Sequence, residues 1–562
     1  MLHLRVVSGK RWSFKMDYVK KLISEFDCEY VEDYKKNWTK AKLNSKNDLL
    51  SVAEALKKEG LRSLSTVSPT DFLDDNIIEV NYFFEDLDTK RNLWLKVNLP
   101  REEKECEIES LTSLFPSAEW HEREAYSMFG VNFLHHPDLR DIIKSEDFAG
   151  VYPFRKDFDW LEHEKNTVAN VQQIVDAFKK EQEENEVDLD TDSSETILNW
   201  GPTHPASGPI RLRVHCDGEE IISVDPDIGY VWRALEHLVT QKDFIGAIVS
   251  VERLCFMDNV NSMTGYAMAV EEIAGVEITP FASWMRVLLG EVARCSSHFM
   301  GLGMFFNNMG LHTLAMWNMD TREFFLDFLE SYSGARIATA AIEPGGVRYG
   351  LDMSMFDELQ KALDKFDGNV DEIEAIFVNN PTMKLRANDV GILSADEVHK
   401  FGLSGIVARA SGVKTDIRID EPYAAYGELD LEYITQKRGS SKDRFEMIFL
   451  ELKQSVEIIK QAKAHIEKAV EAGEMNPTKD HMVKVPKKLP KGEAISRVEW
   501  ARGEVLMHLV TEEKAKSPYR LKMRAPSFNH TMMLDYLLKG QTLSDIPLIF
   551  GSLYICQGDL DR

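Results

Sequence analysis

Two short sequences in the second half of the chain combine a thiol with a carboxyl group at the same spacing. Cys255 is followed three residues later by Asp258, and Cys556 is followed three residues later by Asp559. Buried carboxyl groups have raised pKa values and can deliver protons to a reaction. Thiolates and carboxylates can also hold a metal ion. The sequence does not show whether the two cysteines meet in space, so both chemistries stay open.

Composition excludes several other functions. The 562 residues carry 67 Lys+Arg against 93 Asp+Glu, a formal net charge of −26, which argues against a general nucleic-acid binder. No Cys-x-x-Cys pair is present, so reduced thiols are expected. Neither a P-loop nor a Gly-x-Gly-x-x-Gly turn in a βαβ unit is present, so we expect no nicotinamide or flavin site. No segment approaches the roughly 20 apolar residues of a membrane span, and we expect no signal peptide.

The hydrophobic pattern predicts the elements that position these residues. Period-two alternation predicts strands at 77–86 and 92–100, and a hairpin over 210–228 around Asp217-Gly218. GEVLMHLVTEE and PYRLKMRAP near the C-terminus also have the strand pattern, and NHTMMLDYLLKG has the helical one. Helical spacing is found over 15–27, 49–59, 117–128, 231–242, 245–274, 280–302, 316–334, 354–365, 372–378, 395–401 and 441–471.

An acidic segment divides the chain. Residues 181–195 contain eight acids in fifteen positions and almost no apolar side chains, which predicts a solvated linker. We therefore expect a small N-terminal α/β domain over 1–165 and a helix with the acidic linker over 166–195. A mainly α-helical domain with small β-sheets would occupy 196–562. The predicted fold class is α+β.

The densest motif of the N-terminal domain is HEREAYSMFGVNFLHHPDLRDII (121–143), followed by FRKDF (154–158). On physical grounds it is typical of a structural loop, because His136-Pro137-Asp138 forms a rigid turn. No nucleophile lies beside a base in this segment. The motif resembles the signature of the 30-kDa family of respiratory complex I, the family of its C subunits. The resemblance implies an assembly domain without a redox centre.

The second domain resembles the 49-kDa family of complex I, the family of its D subunits, which shares ancestry with the large subunits of membrane-bound NiFe hydrogenases. The whole chain thus resembles fused C and D subunits, a known arrangement in prokaryotic complex I. The matching segments, in family order, are GPTHPASGPIRL (201–212), DIGYVWRALEHL (227–238), AVEEIAGVEITPFASWMRVLLGEVARCSSHFMGLG (269–303), EPGGV (343–347), RGE (502–504), PYRLKMRAPSF (518–528) and GSLYICQGDLDR (551–562).

The resemblance implies a peripheral-arm subunit of a complex I-type, proton-pumping oxidoreductase at the cytoplasmic face of a prokaryotic cell membrane. Its partners would be the B, I and H subunits and others of the two arms. Electrons would pass from an iron–sulfur cluster of the B subunit to a quinone substrate, and this chain would bind no cofactor. Arg233 and Arg253 match family positions near that cluster, where a cation raises the reduction potential. An ordinary salt bridge with Glu236 or Glu252 is the alternative.

The sequence departs from the family at each quinone contact. The family's loop with two histidines is one residue shorter here and keeps only His204, which could donate a proton or merely stabilise the turn. Phe256 replaces the family's quinone-binding Tyr, and Asn308 replaces the Asp that pairs with the lost His. These changes argue against a standard ubiquinone site and suggest a low-potential carrier or an unusual head-group contact.

The hydrogenase relatives hold nickel and iron with two Cys-x-x-Cys pairs, where this chain has its two Cys-x-x-Asp sequences. A nickel–iron centre needs four soft thiolates, so we expect no such centre and no hydrogenase activity; another metal in a Cys/Asp site stays chemically possible. The resemblance instead implies a polar chamber for an electron acceptor. Its predicted lining residues are Cys255, Phe256, Asn308 and Cys556, and its predicted proton donors are Asp258, Asp559 and His204.

Two other hypotheses stay open. A complex I-related, ferredoxin-linked enzyme could reduce another acceptor, such as a sulfur compound, and the Cys-x-x-Asp sequences motivate this alternative. A structural subunit with an inactive chamber is the third hypothesis. The sequence does not identify the electron donor, which could be NADH, F420H2 or ferredoxin.

Overall fold

The protein has two compact units. The computed structural model describes residues 18–172, 175–176, 179, 195–204 and 208–562. The first unit comprises the described residues up to 193 together with His399–Gly402, and the second comprises the remaining described residues. The α+β fold class is confirmed, because the first unit is built on a sheet and the second is mostly helical with small sheets. The linker expected at 181–195 lies, except for Glu195, outside the described residues, so the domain boundaries stay a prediction.

Strands are numbered here in chain order. They are β1 Cys28–Lys35, β2 Trp38–Leu43, β3 Ser63–Phe72, β4 Ile77–Asp86, β5 Arg91–Pro100, β6 Glu107–Glu109, β7 Asn132–Leu134, β8 Glu195–Trp200, β9 Arg211–Asp217, β10 Glu220–Asp227, β11 Ile342–Glu343, β12 Gly346–Val347, β13 Gly492–Trp500, β14 Gly503–Thr511 and β15 Arg520–Arg524.

The α-helices of the described residues fall in both units. They are Leu49–Lys58, Ala118–Phe129, Trp160–Ala169, Leu235–Thr240, Ile248–Val251, Asn259–Ala274, Pro280–Asn308, His312–Ser333, Met355–Val378, Pro381–Ala387, Ala395–Phe401, Gly405–Ala410, Ile417–Asp420, Ser441–Glu471, Pro526–Met532, Leu534–Leu538, Ile546–Ser552 and Gln557–Leu560. Among the described residues, none of these helices has both the length and the apolar character needed to cross a membrane.

The first unit is built on a five-stranded sheet in the order β1-β2-β5-β4-β3. β2 and β5 are parallel, and the other neighbours are antiparallel. The strands predicted at 77–86 and 92–100 are confirmed as β4 and β5. β3 has no sequence prediction, because it buries serine and threonine side chains on both faces and therefore lacks apolar alternation.

The motif at 121–143 packs as a structural element. Helix Ala118–Phe129 ends at Gly130 in the left-handed conformation (φ 74°). Glu122 is fully buried and accepts hydrogen bonds from Ser110 Oγ (2.7 Å) and the Leu111 N–H (2.8 Å). Burial raises the pKa of this carboxyl group to about 8. Glu122 therefore fixes the segment before the helix, and Arg123 Nε, which donates to the Arg140 carbonyl (3.0 Å), fixes the loop after it.

We predict that Gly130→Ala destabilises the protein by about 1–3 kcal/mol more than Gly150→Ala does. Both glycines have a positive φ, 74° and 75°, so both substitutions carry similar backbone strain. A Cβ at Gly130 would lie 2.6 Å from Tyr152 Cε2, whereas a Cβ at Gly150 would meet nothing within 4 Å. Denaturant unfolding of the full chain measures the difference, and equal losses of stability would contradict the packing argument.

Helix Pro280–Asn308 packs against the helices His312–Ser333 and Ser441–Glu471 in the second unit. It begins after Thr279, whose hydroxyl accepts a hydrogen bond from the Ala282 N–H, with a proline at its first position. Two three-stranded antiparallel sheets, β10-β9-β8 and β13-β14-β15, complete the framework. The hairpin predicted around Asp217-Gly218 is confirmed by the pairing of β9 with β10.

The predicted helices mostly agree with the structure. Those at 49–59, 117–128, 395–401 and 441–471 are confirmed to within one residue at each end. The single helix expected at 245–274 is wrong, because Ile248–Val251 and Asn259–Ala274 are separate helices. The segment between them contains Cys255 in an extended conformation (φ −130°, ψ 93°). This interruption takes the Cys255 side chain out of the helical pattern.

Candidate functional site

A cavity of about 670 Å³ lies within the second unit. Most of its wall comes from four segments: 230–233, 253–257, the C-terminal part of helix Pro280–Asn308, and 550–558. Gly208, Pro209 and Arg502 complete the wall. Methionine and aromatic side chains, with a few polar groups, form its wall. The sequence-predicted residues that line the cavity are Arg233, Arg253, Phe256, Asn308 and Cys556. Those that do not line it are His204, Cys255, Asp258 and Asp559.

The two cysteines of the Cys-x-x-Asp sequences meet behind the cavity wall. Atoms of Cys255, Cys556 and Asp559, namely the two Sγ atoms and a carboxylate oxygen, all lie within 4.8 Å of one another. Cys556 immediately precedes the short helix Gln557–Leu560, and its N–H donates a hydrogen bond to Ser527 Oγ (3.0 Å). We call these three residues the thiol–carboxyl cluster. All three side chains are buried, and Cys556 is the member that faces the cavity.

The two thiols share one proton. A hydrogen bond from Cys255 to Cys556 lowers the pKa of Cys556 to about 5, and the charge of Arg502 lowers it further, while burial opposes the shift. The same hydrogen bond and burial raise the pKa of Cys255 well above its usual value. At neutral pH the pair therefore consists of a Cys556 thiolate and a Cys255 thiol.

The surroundings of Asp559 favour the protonated form of its carboxyl group. Burial raises its pKa well above the usual range, and the negative charge of Cys556 raises it further, by more than Arg502 and Ser527 lower it. The cluster thus holds two weakly acidic protons, on Asp559 and Cys255, beside a thiolate that faces the cavity. This arrangement can donate protons to a molecule reduced in the cavity.

Arg502 balances the charge of the thiolate. Its guanidinium group is buried, donates a hydrogen bond to Ser297 Oγ (2.8 Å), and lies over the ring of Tyr554 at 4.7 Å. Burial lowers the pKa of Arg502, but the two cysteines raise it by more, so the group stays charged. The thiol–carboxyl cluster together with Arg502 is therefore close to electrically neutral.

Asp258 does not join the cluster, despite its matching spacing from Cys255. Its Oδ1 accepts a hydrogen bond from Asn261 Nδ2 (2.7 Å), and its Oδ2 accepts one from the Ala501 N–H (2.7 Å). The side chain is fully buried and lies away from the cavity wall. Through these contacts Asp258 links the start of helix Asn259–Ala274 to the end of β13.

His204 also stands apart from the cavity wall. Its side chain is exposed, and its ring centroid lies 4.9 Å from that of Trp200. The neighbouring residues 205–207 lie outside the described part of the chain. Gly208, on the far side of this gap, does line the cavity. Gly208 therefore reaches the cavity, whereas the His204 imidazole is not part of its wall.

Two cations stand side by side at the cavity. Arg233 Nη2 donates a hydrogen bond to the carbonyl oxygen of Arg253 (2.7 Å). Arg253 Nη1 lies 2.6 Å from Glu252 Oε1, as the salt-bridge alternative expected. Glu236, the partner considered for Arg233, instead pairs with Arg520 at 2.6 Å. Burial lowers the pKa of Arg233, and the neighbouring charge of Arg253 lowers it further.

Tyr554 is a cavity residue that the sequence argument misses. Its ring lines the cavity beside Cys556, and its hydroxyl donates a hydrogen bond to the Ser297 carbonyl (2.8 Å). A Cβ at Gly301 would lie only 2.0 Å from Tyr554 Cε2, so this glycine makes room for the ring. Gly301, a glycine within a long and mostly apolar helix, was the signal available in the sequence, because such a glycine indicates that another element packs closely against the helix.

The residues present do not fit a nickel–iron centre. Such a centre needs four soft thiolates, two of them bridging the metals. The cluster offers two thiols and one carboxyl group within reach of one another. The second carboxyl group of the motif, Asp258, is engaged by the backbone of Ala501 and by Asn261.

Protein-family models match one segment in the N-terminal part of the chain and one in the C-terminal part. Residues 44–164 match the family model of the respiratory-chain NADH dehydrogenase 30 Kd subunit. Residues 308–562 match the model of the respiratory-chain NADH dehydrogenase 49 Kd subunit. The first match contains the motif at 121–143, and the second contains Asn308, Arg502, Cys556 and Asp559.

Individual relatives agree with these matches. The chain is 35% identical over 374 residues to the D 2 subunit of NADH-quinone oxidoreductase from Solibacter usitatus, covering 66% of this chain and 98% of the relative. It is 32% identical over 384 residues to the D subunit of NADH-quinone oxidoreductase from Ruegeria sp., covering 65% and 95%. The corresponding protein of Methylobacterium radiotolerans is 32% identical, with coverage of 65% and 98%. The chain therefore belongs to the family of NADH-quinone oxidoreductase D subunits, and it carries a 30-kDa complex I region in the same polypeptide.

Proposed function

We propose that this chain forms the chamber in which a membrane quinone, or a quinone-like carrier, is reduced in a complex I-type, proton-pumping oxidoreductase. Electrons would reach the chamber from an iron–sulfur cluster held by the B subunit, and the I, H and other subunits would complete the assembly. The observation that carries this proposal is the cavity with the thiol–carboxyl cluster directly behind its wall. The names of the relatives, D subunits of NADH-quinone oxidoreductase, support the substrate class.

The size and lining of the cavity suit the head group of such a carrier. Ligand cavities for small molecules span about 300–1,000 Å³ and combine apolar walls with a few polar groups. This cavity, at about 670 Å³, is lined by Phe256, Tyr554 and several methionines, with Asn308 at one side. A planar, mostly apolar ring system can lie against these side chains.

The chemistry of quinone reduction calls for two protons along with two electrons. Asp559 and Cys255 each hold a proton at neutral pH, and the Cys556 thiolate between them and the cavity can pass protons on. Of the three donors predicted from the sequence, Asp559 is the one that the geometry supports. Asp258 is held by structural hydrogen bonds, and His204 lies outside the cavity lining.

Arg233 and Arg253 support an electron entry point at the same cavity. A cation near an iron–sulfur cluster stabilises its reduced, more negative form and so raises the reduction potential. The two guanidinium groups lie at the cavity edge. We propose that they face the cluster of the B subunit, and that the assembly works at the cytoplasmic face of the membrane.

One observation favours a second acceptor class, namely a sulfur compound in a ferredoxin-linked enzyme. Cys556 lines the cavity as a thiolate, and a thiolate is the nucleophilic form of cysteine. A quinone site needs no nucleophile, whereas a polysulfide acceptor can react with one. This observation also argues against a degenerate chamber that serves assembly alone.

The proposal predicts fast reoxidation of the iron–sulfur clusters in the purified assembly when a menaquinone analogue is added. The clusters are first reduced chemically, and their reoxidation is followed by absorbance. We expect a rate that a competing, non-reducible quinone analogue lowers. If the clusters stay reduced with the quinone but reoxidise with polysulfide, the acceptor is a sulfur compound. If neither acceptor reoxidises them in an intact assembly, the chamber is inactive and the proposal fails.

A further inference from the structure

A second group of ionisable side chains lies in the core of the same unit, next to Tyr554. It consists of acids and arginines that are at most 3% exposed, together with one histidine, and we call it the buried charge cluster. Its members are Glu291, Arg294, His298, Arg409, Asp416, Arg418, Glu451 and Glu499.

The acids and arginines of this cluster are joined by direct contacts. Arg409 donates hydrogen bonds to Glu451 Oε1 (2.9 Å, from Nε) and to Glu499 Oε1 (2.8 Å, from Nη1). Arg418 donates to Asp416 Oδ2 (2.8 Å) and to Glu291 Oε1 (3.1 Å). Arg409 Nη1 also lies 3.7 Å from Asp416 Oδ2, which joins the two groups into one continuous network.

Arg294 completes the network. Its Nε lies 3.2 Å from Glu291 Oε2, and its Nη2 donates to the backbone carbonyl of Glu499 (2.6 Å). Two tyrosines bring neutral hydroxyl groups: Tyr426 donates to Glu291 Oε1 (2.6 Å), and the Tyr423 hydroxyl accepts from the Glu499 N–H (3.3 Å). Neither tyrosine adds a charge.

The charges of this network do not balance. Four acids, Glu291, Asp416, Glu451 and Glu499, face three arginines, so the fully ionised network would carry one uncompensated negative charge. Asp258, which lies close enough to interact with Arg294 and His298, adds further negative charge from the neighbouring helix start. An uncompensated charge in a fully buried site is strongly disfavoured. Retention of at least one proton by the network is therefore favoured.

Of the four acids, Glu499 is the one whose surroundings favour the protonated form, although both of its oxygens accept hydrogen bonds, from Arg409 Nη1 (2.8 Å) and from the Ile417 N–H (3.1 Å). Burial raises its pKa to about 7, and Asp416 raises it further, against the opposing effect of Arg409, Arg418 and Arg294. By contrast, the net effect of the surroundings, despite burial, lowers the pKa of Glu451 and that of Glu291. Burial also lowers the pKa of His298, so the imidazole is neutral.

His298 connects the buried charge cluster to the cavity wall. Its Nε2 lies 3.3 Å from Glu451 Oε2, and its ring stacks on Tyr554 with centroids 5.6 Å apart and planes at 19°. Glu451 and Glu499 share Arg409 as a common partner. A change of charge in the cavity therefore changes the electrostatic potential at the network. Tyr554 and His298 lie between the two and are buried, so little solvent screens the effect.

We propose that the buried charge cluster is a proton-loading site for the acceptor cavity, in which Glu499 holds an exchangeable proton and His298 relays charge changes from the cavity. This inference rests on the proposed function, because the redox change in the cavity is what would load or unload the site. It assigns roles to Glu499, Glu451 and His298 that are separate from proton donation by the thiol–carboxyl cluster. Glu499 acts here through its neighbours and touches no substrate.

Glu499→Gln is the test variant, because it keeps the shape of the side chain and leaves three acids against three arginines. We expect it to fold and to gain stability relative to the native chain as the pH rises. The pKa of Glu499 rises from 4.5 to about 7 on folding, so its contribution to stability is full below about pH 4.5 and is lost as the pH rises through 7. Glu451→Gln is the matched control, which removes a paired charge and should lower the thermal unfolding temperature by the same amount throughout the range from about pH 6 to about pH 8, because the pKa of Glu451 is lowered on folding.

Infrared difference spectra of the complete assembly between about pH 6 and about pH 8 should show loss of a protonated carboxyl band, and Glu499→Gln should lack this change. In the native assembly the rate of acceptor reduction should fall as the pH rises through about 7. The variant should lose this limb and stay slow throughout. An identical pH profile in native and variant assemblies, or the same loss of the carboxyl band in the variant as in the native assembly, would overturn the proposal.

The same measurements separate this proposal from the proposed function. If the native assembly reduces neither a menaquinone analogue nor polysulfide, the proposed function fails, and the loading role fails with it even where the carboxyl band is present. If acceptor reduction is normal but the band never changes between the reduced and oxidised assembly, the proposed function stands and only the loading site is wrong.

Discussion

Asp559→Asn is expected to lower the rate of acceptor reduction by about 10²- to 10⁴-fold, the range typical of losing a positioned proton donor. Asp559 is buried and protonated behind the cavity wall, within 4.8 Å of the two thiols. An asparagine has nearly the same shape and also carries no charge at neutral pH, so the fold and the assembly should survive. What the variant loses is the acidic proton. Rapid-mixing measurements of cluster reoxidation in the purified assembly give the rate.

Asp258→Asn is the matched control for this prediction. The same substitution three residues after the other cysteine breaks the hydrogen bond from the Ala501 N–H or that from Asn261. We expect a loss of stability of about 1–3 kcal/mol and a rate, per folded assembly, close to that of the native protein. If Asp258→Asn slows the reaction as much as Asp559→Asn does, the two carboxyl groups act together and the division of roles drawn here is wrong.

The contrast between these two aspartates shows where sequence reasoning reaches its limit. The spacing Cys-x-x-Asp is the same in both places, and it correctly selects the segments that converge. Asp258 does not reach the thiols, because it lies at the start of a helix and its carboxylate accepts a hydrogen bond from the Ala501 N–H. Ala501 lies 243 residues away in sequence. A partner so distant in the chain leaves no local pattern from which the orientation could be predicted.

The fold was more predictable than the site, for a related reason. Helices such as Ser441–Glu471 and strands such as β4 follow from a regular apolar period, which is a local property. β13 has no sequence prediction, because both of its faces are buried and carry Ser496, Arg497 and Glu499, whose polar groups find their partners only in three dimensions. The buried charge cluster is invisible in the sequence for the same reason.

Tyr554 does not restore the hydroxyl group that the sequence lacks at Phe256. The family resemblance implies that Phe256 stands at the position of a quinone-binding tyrosine, which would remove a hydroxyl group from the predicted chamber. The structure places a different aromatic hydroxyl in the wall, on the segment that carries Cys556. This hydroxyl already donates to the Ser297 carbonyl, so Tyr554 contributes mainly its ring to the cavity. Proton donation is thereby left to the thiol–carboxyl cluster.

Alkylation of Cys556 by iodoacetamide is expected to be independent of pH between about pH 6 and about pH 8, whereas that of Cys28 rises about 100-fold over the same interval. The pKa of Cys556 is lowered to about 5, so the reactive thiolate is already fully formed at the lower pH. Burial raises the pKa of Cys28, whose side chain is half-buried, so its thiolate fraction grows tenfold with each pH unit. Mass spectrometry of both peptides from one sample gives the two rates together.

Cys255→Ala tests the cause of this behaviour. Removing the thiol that donates to Cys556 takes away the largest influence on its pKa, so the alkylation rate of Cys556 should become steeply dependent on pH. Arg502→Met should act in the same direction by removing the neighbouring positive charge. A bound quinone analogue should protect Cys556 and leave Cys28 unaffected, because only Cys556 lines the cavity. A steep pH profile for Cys556 in the native protein would show that the thiolate is absent, and the proton inventory proposed for the cluster would then be wrong.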